Sequence, residues 1–137
     1  MTSARSAGSV RLGVVAEKSA LRQAISRWAS PEREEARELQ RDVEKSGRMA
    51  LADAPLRQVV TVQGTLRTVT LRPRGGVPAL EAELYDGTAT ITVLWLGRRR
   101  IAGIFPGRNI VVTGRIGDAE GVRVMYNPRY DLQAVSR

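Results

Sequence analysis

Arginine is the residue type whose number and placement in this chain suggest chemistry. Of 22 basic side chains 20 are arginine, and Lys18 and Lys45 are the two lysines. Three stand together as Arg98-Arg99-Arg100. Three adjacent side chains cannot all face inward, so at least two must be exposed. Arg72 and Arg74 precede Gly75-Gly76, where two guanidinium groups could clamp a phosphate while the glycines permit close approach. Guanidinium binds phosphate in a planar, bidentate way and stacks on bases. GC-rich codon usage accounts for the arginine-to-lysine ratio equally well, and solvated loops are the plain alternative for both segments. The net charge of +8 stands under either explanation.

The charge is unevenly spread. Residues 1–55 carry 10 basic and 8 acidic side chains, and residues 56–137 carry 12 basic and 6 acidic. The positive field therefore belongs mainly to the second part, where it would attract phosphate backbones. Other chemistries are poorly supplied. With no cysteine and no histidine, the chain lacks thiolate ligands, disulfides and the commonest general base. Glu81 and Glu83 would share a strand face roughly 7 Å apart, a spacing some glycosidases use. No sugar pocket, phosphate-binding glycine motif or nucleophile motif accompanies them. The expectation is a non-enzyme with no metal and no cofactor. No apolar run approaches membrane-spanning length and the N-terminus lacks a secretory core, so a cytoplasmic protein without membrane contact is expected.

Residues 1–13 read as disordered, and residues 14–55 as a helical segment and linker. Leu21, Ile25 and Trp28 keep helical spacing, with Trp28 placed to staple the helices to the β-rich second part of the chain. Ser30-Pro31 restarts the pattern, and Gly47 should end the second helix just past Ser46. Ala36, Leu39 and Val43 give that helix only a narrow apolar stripe. The segment from Met49 to Leu56 reads as a linker, residues 56–130 as a barrel, and residues 131–137 as a tail.

Five strand signals fill the barrel. The first, from Arg57 to Arg72, is unusually long. Val60, Val62 and Leu66 share one parity while Val69 and Leu71 have the other, so a bulge is expected between Gly64 and Thr68. The second, from Ala79 to Asp86, turns Leu80, Ala82 and Leu84 inward and Glu81, Glu83 and Tyr85 outward. Asp86-Gly87 signals a hairpin. The third, from Ala89 to Leu96, turns Ile91 and Val93 inward and Thr90 and Thr92 outward. Alternation buries Trp95, and Phe105, Tyr126 and Tyr130 read as packing residues. The fourth runs from Asn109 to Ile116, with Ile110, Val112 and Ile116 inward. A turn over 117–121 leads to the fifth, Val122 to Tyr126, with Val122 and Val124 inward. The connection from Gly97 to Gly107 has room for a single turn. A long bent first strand in a five-stranded antiparallel sheet suits a mainly β fold, a five-stranded Greek-key barrel of the OB-fold type behind a helical segment.

Three stretches carry a family likeness: Thr61-Val62-Gln63-Gly64-Thr65-Leu66, Leu84 to Ile91, and Pro106-Gly107-Arg108-Asn109 onward to Arg115. They resemble OB-fold nucleic-acid-binding domains, in particular the wedge domain of the RecG branch-migration helicase and the anticodon-binding domains of some tRNA synthetases. The sequence from Met125 to Tyr130 resembles the end of the wedge domain. The resemblance, over about 57–130, implies binding of single-stranded or branched DNA or RNA with low sequence specificity. Such folds place ligand across strands 2 and 3 and the adjoining loops. The expected contacts are Arg67, Arg72, Arg74, Tyr85, Thr90, Thr92, Arg98, Arg99 and Arg100. Arg67 has a structural alternative in pairing with Glu81 or Glu83. The scarcity of aromatics and the outward glutamates keep a second reading open, in which the barrel is a scaffold for a protein partner, or for self-association through the N-terminal helix.

Overall fold

The computed structural model describes residues 31–134. The expected disordered segment, the first helix and Trp28 lie outside these residues. Residues 31–46 are helical (α1). Six strands follow: β1 Val59–Leu71, β2 Ala79–Tyr85, β3 Thr90–Leu96, β4 Asn109–Ala119, β5 Val122–Tyr126 and β6 Arg129–Leu132. The chain divides into two compact units, Met1–Glu34 and Glu35–Arg137, and the whole sheet belongs to the second.

β1 is long because it serves two neighbours. Residues from Val59 to Thr65 pair antiparallel with β4, and residues from Thr65 to Leu71 pair with β2. The register slips between Leu66 and Val69, which returns Val69 to the core side after the bulge. At the corner sits Gly64, where a Cβ would stand 2.5 Å from the carbonyl oxygen of Tyr85. Only glycine lets the two backbones come this close. β2 pairs with β3, β3 runs parallel to β5, and β5 pairs with β4. The ring β1-β2-β3-β5-β4 is therefore closed, and closure removes most of the exposed sheet edge.

Inside lie Val60, Val62, Leu66, Leu80, Leu84, Ile91, Val93, Ile110, Val112 and Ile116, as alternation predicts. Trp95 is buried as expected. Its indole Nε1 donates to the Pro128 carbonyl at 3.3 Å, and Tyr130 meets it edge-on at 5.7 Å. The connection from 97 to 108 forms no α-helix, as its glycines and proline require.

The structure corrects four expectations. Met125, not Val122 or Val124, points inward from β5: Val122 is exposed, and Val124 joins Ala79 and Leu94 in a small cluster on the outer face. The turn explains this. β4 continues through Gly117, Asp118 and Ala119, so the turn is only Glu120-Gly121, both at positive φ. A two-residue turn sets Ala119 opposite Val122, and so Met125 opposite the inward Ile116. Residues 131 and 132 are not a tail, because they complete β6, which pairs with β4. Finally, the linker contains a 3-10 turn at Leu51–Asp53, whose Leu51 is fully buried in the barrel core with Ala54.

α1 ends as expected at Gly47 (φ 73°), whose N–H donates to the Glu44 carbonyl. Its Gln40 side chain donates to the Gly87 carbonyl at 2.7 Å. Gly87 has φ 92°, and a Cβ there would overlap the Ala36 carbonyl oxygen of α1. Gly87→Ala is expected to cost about 2 kcal/mol. Urea unfolding measures that loss, and hydrogen exchange should show the α1 amides losing protection before those of β2.

Candidate nucleic-acid interface

The outer face of β2 and β3 is set by register. Tyr85 lies opposite Thr90, Glu83 opposite Thr92, Glu81 opposite Leu94, and Ala79 opposite Leu96. Alternation sends the Leu80, Ala82 and Leu84 side chains inward and these outward. Leu94, Ala79 and Val124 form a small buried apolar cluster on this side of the sheet, so the exposed groups lie around it. Charged and aromatic groups gather at the two ends of the face, roughly 20 Å apart along the strands at about 3.3 Å per residue.

At one end the Arg67 guanidinium lies 3.8 Å from the centroid of the Tyr85 ring. Arg67 was open to pairing with a glutamate; instead it stacks on tyrosine, a cation–π contact worth about 0.5–1 kcal/mol at an exposed site. Thr90 is exposed beside them, and Thr92 is half-buried.

At the other end Glu81 takes both loop arginines. Arg72 Nε lies 3.2 Å from Glu81 Oε2, and Arg74 Nη2 lies 3.0 Å from Oε1. The loop itself is a tight turn. Arg74 N–H donates to Val77 O at 2.8 Å and Val77 N–H returns to Arg74 O at 3.0 Å, with Gly75 and Gly76 both at positive φ. The two glycines thus supply the turn, while open space remains where a Cβ would stand. Exposed pairs of this kind add little stability. Their consequence is electrostatic, since Glu81 offsets one of the two arginine charges.

Arg98, Arg99 and Arg100 join this second end. Gly97 N–H donates to Pro78 O at 2.7 Å, which fixes the start of the run beside the start of β2. All three are exposed, Ile101 is buried directly after them, and none has an ion-pair partner among the described residues. Five arginines therefore face one glutamate at this end. Glu83 stays exposed between the two ends, and Asp118 lies exposed near the end of β4.

Three residues escaped the sequence reading. Phe105 and Tyr126, expected as packing residues, are 44% and 47% exposed, whereas Tyr130 does pack on Trp95. The Arg108 guanidinium lies 5.7 Å from the Phe105 ring centroid. Ile101 and Ile104 are the apolar residues of this loop that enter the core, and Phe105 follows them on the outside.

No protein-family model and no curated protein matches this chain. Solved structures do. A RecG structure bound to a three-way DNA junction matches 62% of the chain at 21% identity and a TM-score of 0.55. The p204 HINb domain matches 66% of it at 11% identity and a TM-score of 0.53. The chain spans 12% of the RecG chain and 49% of the HINb chain. These likenesses and the closed ring of strands establish an OB-like barrel.

Proposed function

We propose that this barrel binds single-stranded or branched nucleic acid across β2 and β3, mainly through arginine–phosphate contacts and with low sequence specificity. It acts as a binding module and not as an enzyme. The observation that carries the reading is the run Arg98-Arg99-Arg100, without an ion-pair partner among the described residues, beside the Arg72–Glu81–Arg74 cluster at one end of the face such barrels use. The stacked Arg67–Tyr85 pair supports a contact at the other end, because bases stack on tyrosine and on guanidinium planes alike. The RecG likeness adds support, since that structure holds a three-way DNA junction. The chain's lack of histidine and cysteine supports the non-enzymatic part.

A second reading has its own observation. Leu71, Val77, Leu96 and Tyr126 are all exposed, on the first hairpin and at the ends of β3 and β5 nearest to it. An apolar rim of this kind suits a protein partner. Glu81→Gln separates the two. Freeing Arg72 and Arg74 should raise affinity for single-stranded DNA about 4-fold near 0.15 M salt, the gain of one phosphate contact by counterion release. Anisotropy titration of the two proteins side by side reads this. Unchanged nucleic-acid affinity with altered partner binding would favour the protein-docking reading.

A further inference from the structure

We propose that Phe105 and Arg108 form a second nucleotide-binding point on the far side of β1, where a strand leaving the β2–β3 face continues. The inference rests on the nucleic-acid reading above and extends its path.

The loop from 101 to 108 holds the backbone on both sides of Phe105. Ile101 and Ile104 are buried in the core, and Ile104 N–H donates to Ile101 O at 3.1 Å. Gly107 N–H donates to Leu66 O at 2.7 Å, Leu66 N–H donates to Arg108 O at 2.9 Å, and Arg108 N–H donates to Phe105 O at 3.1 Å. With both flanks pinned, Phe105 stands outside the core at 44% exposure. A backbone fixed in this way need not be ordered when a base stacks on the ring it presents.

Arg108 supplies the matching charge. It has no ion-pair partner among the described residues, and its Nε is a buried donor without an acceptor. Native structures seldom leave such a donor unpaired. A small swing of the guanidinium toward a phosphate oxygen would satisfy it and leave the second face of Phe105 for the base.

The location joins this pair to the first. Leu66 is bonded through its main chain to Gly107 and Arg108 on one side and lies opposite Leu84 on the other. The next residue along β1 is Arg67, over Tyr85. The Arg67–Tyr85 pair thus spans β1 and β2, and Arg108 is bonded to the other side of β1, so Tyr85 and Arg108 stand on backbones roughly 10 Å apart, two strand spacings. A membrane surface or an acidic peptide would use the cations but not an aromatic ring set beside each one. Bases alternating with phosphates use both.

The test is anisotropy titration with oligothymidylates of about 4 to 16 nucleotides, the range one such barrel covers. Affinity of the unaltered protein should climb with length. Phe105→Ala should lower affinity for the longest strands about 10-fold, leave the shortest unchanged and keep the salt slope, as loss of one stacked base would. Arg108→Ala should reduce the slope by about 0.7, one phosphate contact. Phe105→Trp should restore length-dependent binding, and melting curves confirm that each variant is folded. Phe105→Ala binding like the unaltered protein at every length would overturn this second point and leave the first site standing. Equal losses at all lengths would overturn it too. Absence of binding by the unaltered protein would remove both.

Discussion

Replacing Arg98, Arg99 and Arg100 together with alanine is expected to weaken single-stranded DNA binding about 50-fold near 0.15 M salt. The figure comes from counterion release, in which each lost contact removes about 0.7 from the salt slope, or about 2 for three. At 0.05 M the same loss of slope grows to about 500-fold. The dependence on salt distinguishes lost phosphate contacts from a damaged fold. All three side chains are exposed, and the loop is held by Gly97 and the buried Ile101, so the melting temperature should not move. If affinity falls while the slope is unchanged, the arginines act by something other than phosphate contact.

The largest effect on stability is expected at Asp86. Its side chain is fully buried and accepts four hydrogen bonds. Leu51 N–H donates to Oδ2 at 2.8 Å, while Thr88 N–H, Thr88 Oγ1 and Ala89 N–H donate to Oδ1 at 2.9, 2.6 and 3.1 Å. The carboxylate therefore builds the β2–β3 turn and also holds the 3-10 turn that inserts Leu51 into the barrel. Asp86→Ala strands at least two backbone N–H groups and should cost about 4 kcal/mol, at about 1–3 kcal/mol for each unsatisfied buried donor. In a domain of this size that lowers Tm by roughly 20 °C. Asp86→Asn keeps one acceptor oxygen and should lose about half as much. Thermal unfolding followed by circular dichroism measures both. An alanine variant within 1 °C of the unaltered protein would show that the turn holds without the carboxylate.

The barrel was legible because its strongest signals are local. The parity change along β1 announced its bulge, and alternation placed Leu80, Ala82, Leu84, Ile91 and Val93 correctly. Trp95 followed from the same rule. The failures share a cause, which is that they depend on partners distant in sequence. Val124 and Met125 are both apolar, and only the length of the Glu120-Gly121 turn decides which faces the core. Leu51 looked like a linker residue because its anchor, Asp86, lies 35 positions away. β6 has ordinary strand composition, yet it exists through pairing with β4.

The candidate site was legible in kind and not in arrangement. The composition marked arginine, and the loop signals around 72–78 and 97–107 placed it at the surface. Which arginine meets which partner was hidden. Glu81 pairs with Arg72 and Arg74 because the hairpin folds back on β2, while the bulge in β1 delivers Arg67 to Tyr85. Composition alone assigns Phe105 to packing, because an aromatic is usually worth more inside. Its exposure arises because Ile101 and Ile104 take the space beneath the loop.

The central claim is that arginine–phosphate contacts hold a nucleic-acid strand on this barrel. The most direct test is titration of the unaltered protein against labelled single-stranded, duplex and forked DNA and single-stranded RNA, repeated at salt concentrations from about 0.05 to 0.2 M. The account predicts binding to single-stranded or forked substrates in preference to duplex, with log affinity falling linearly against log salt at a slope of about −2 or steeper. Absence of binding at the lowest salt, or binding with no salt slope, would contradict it.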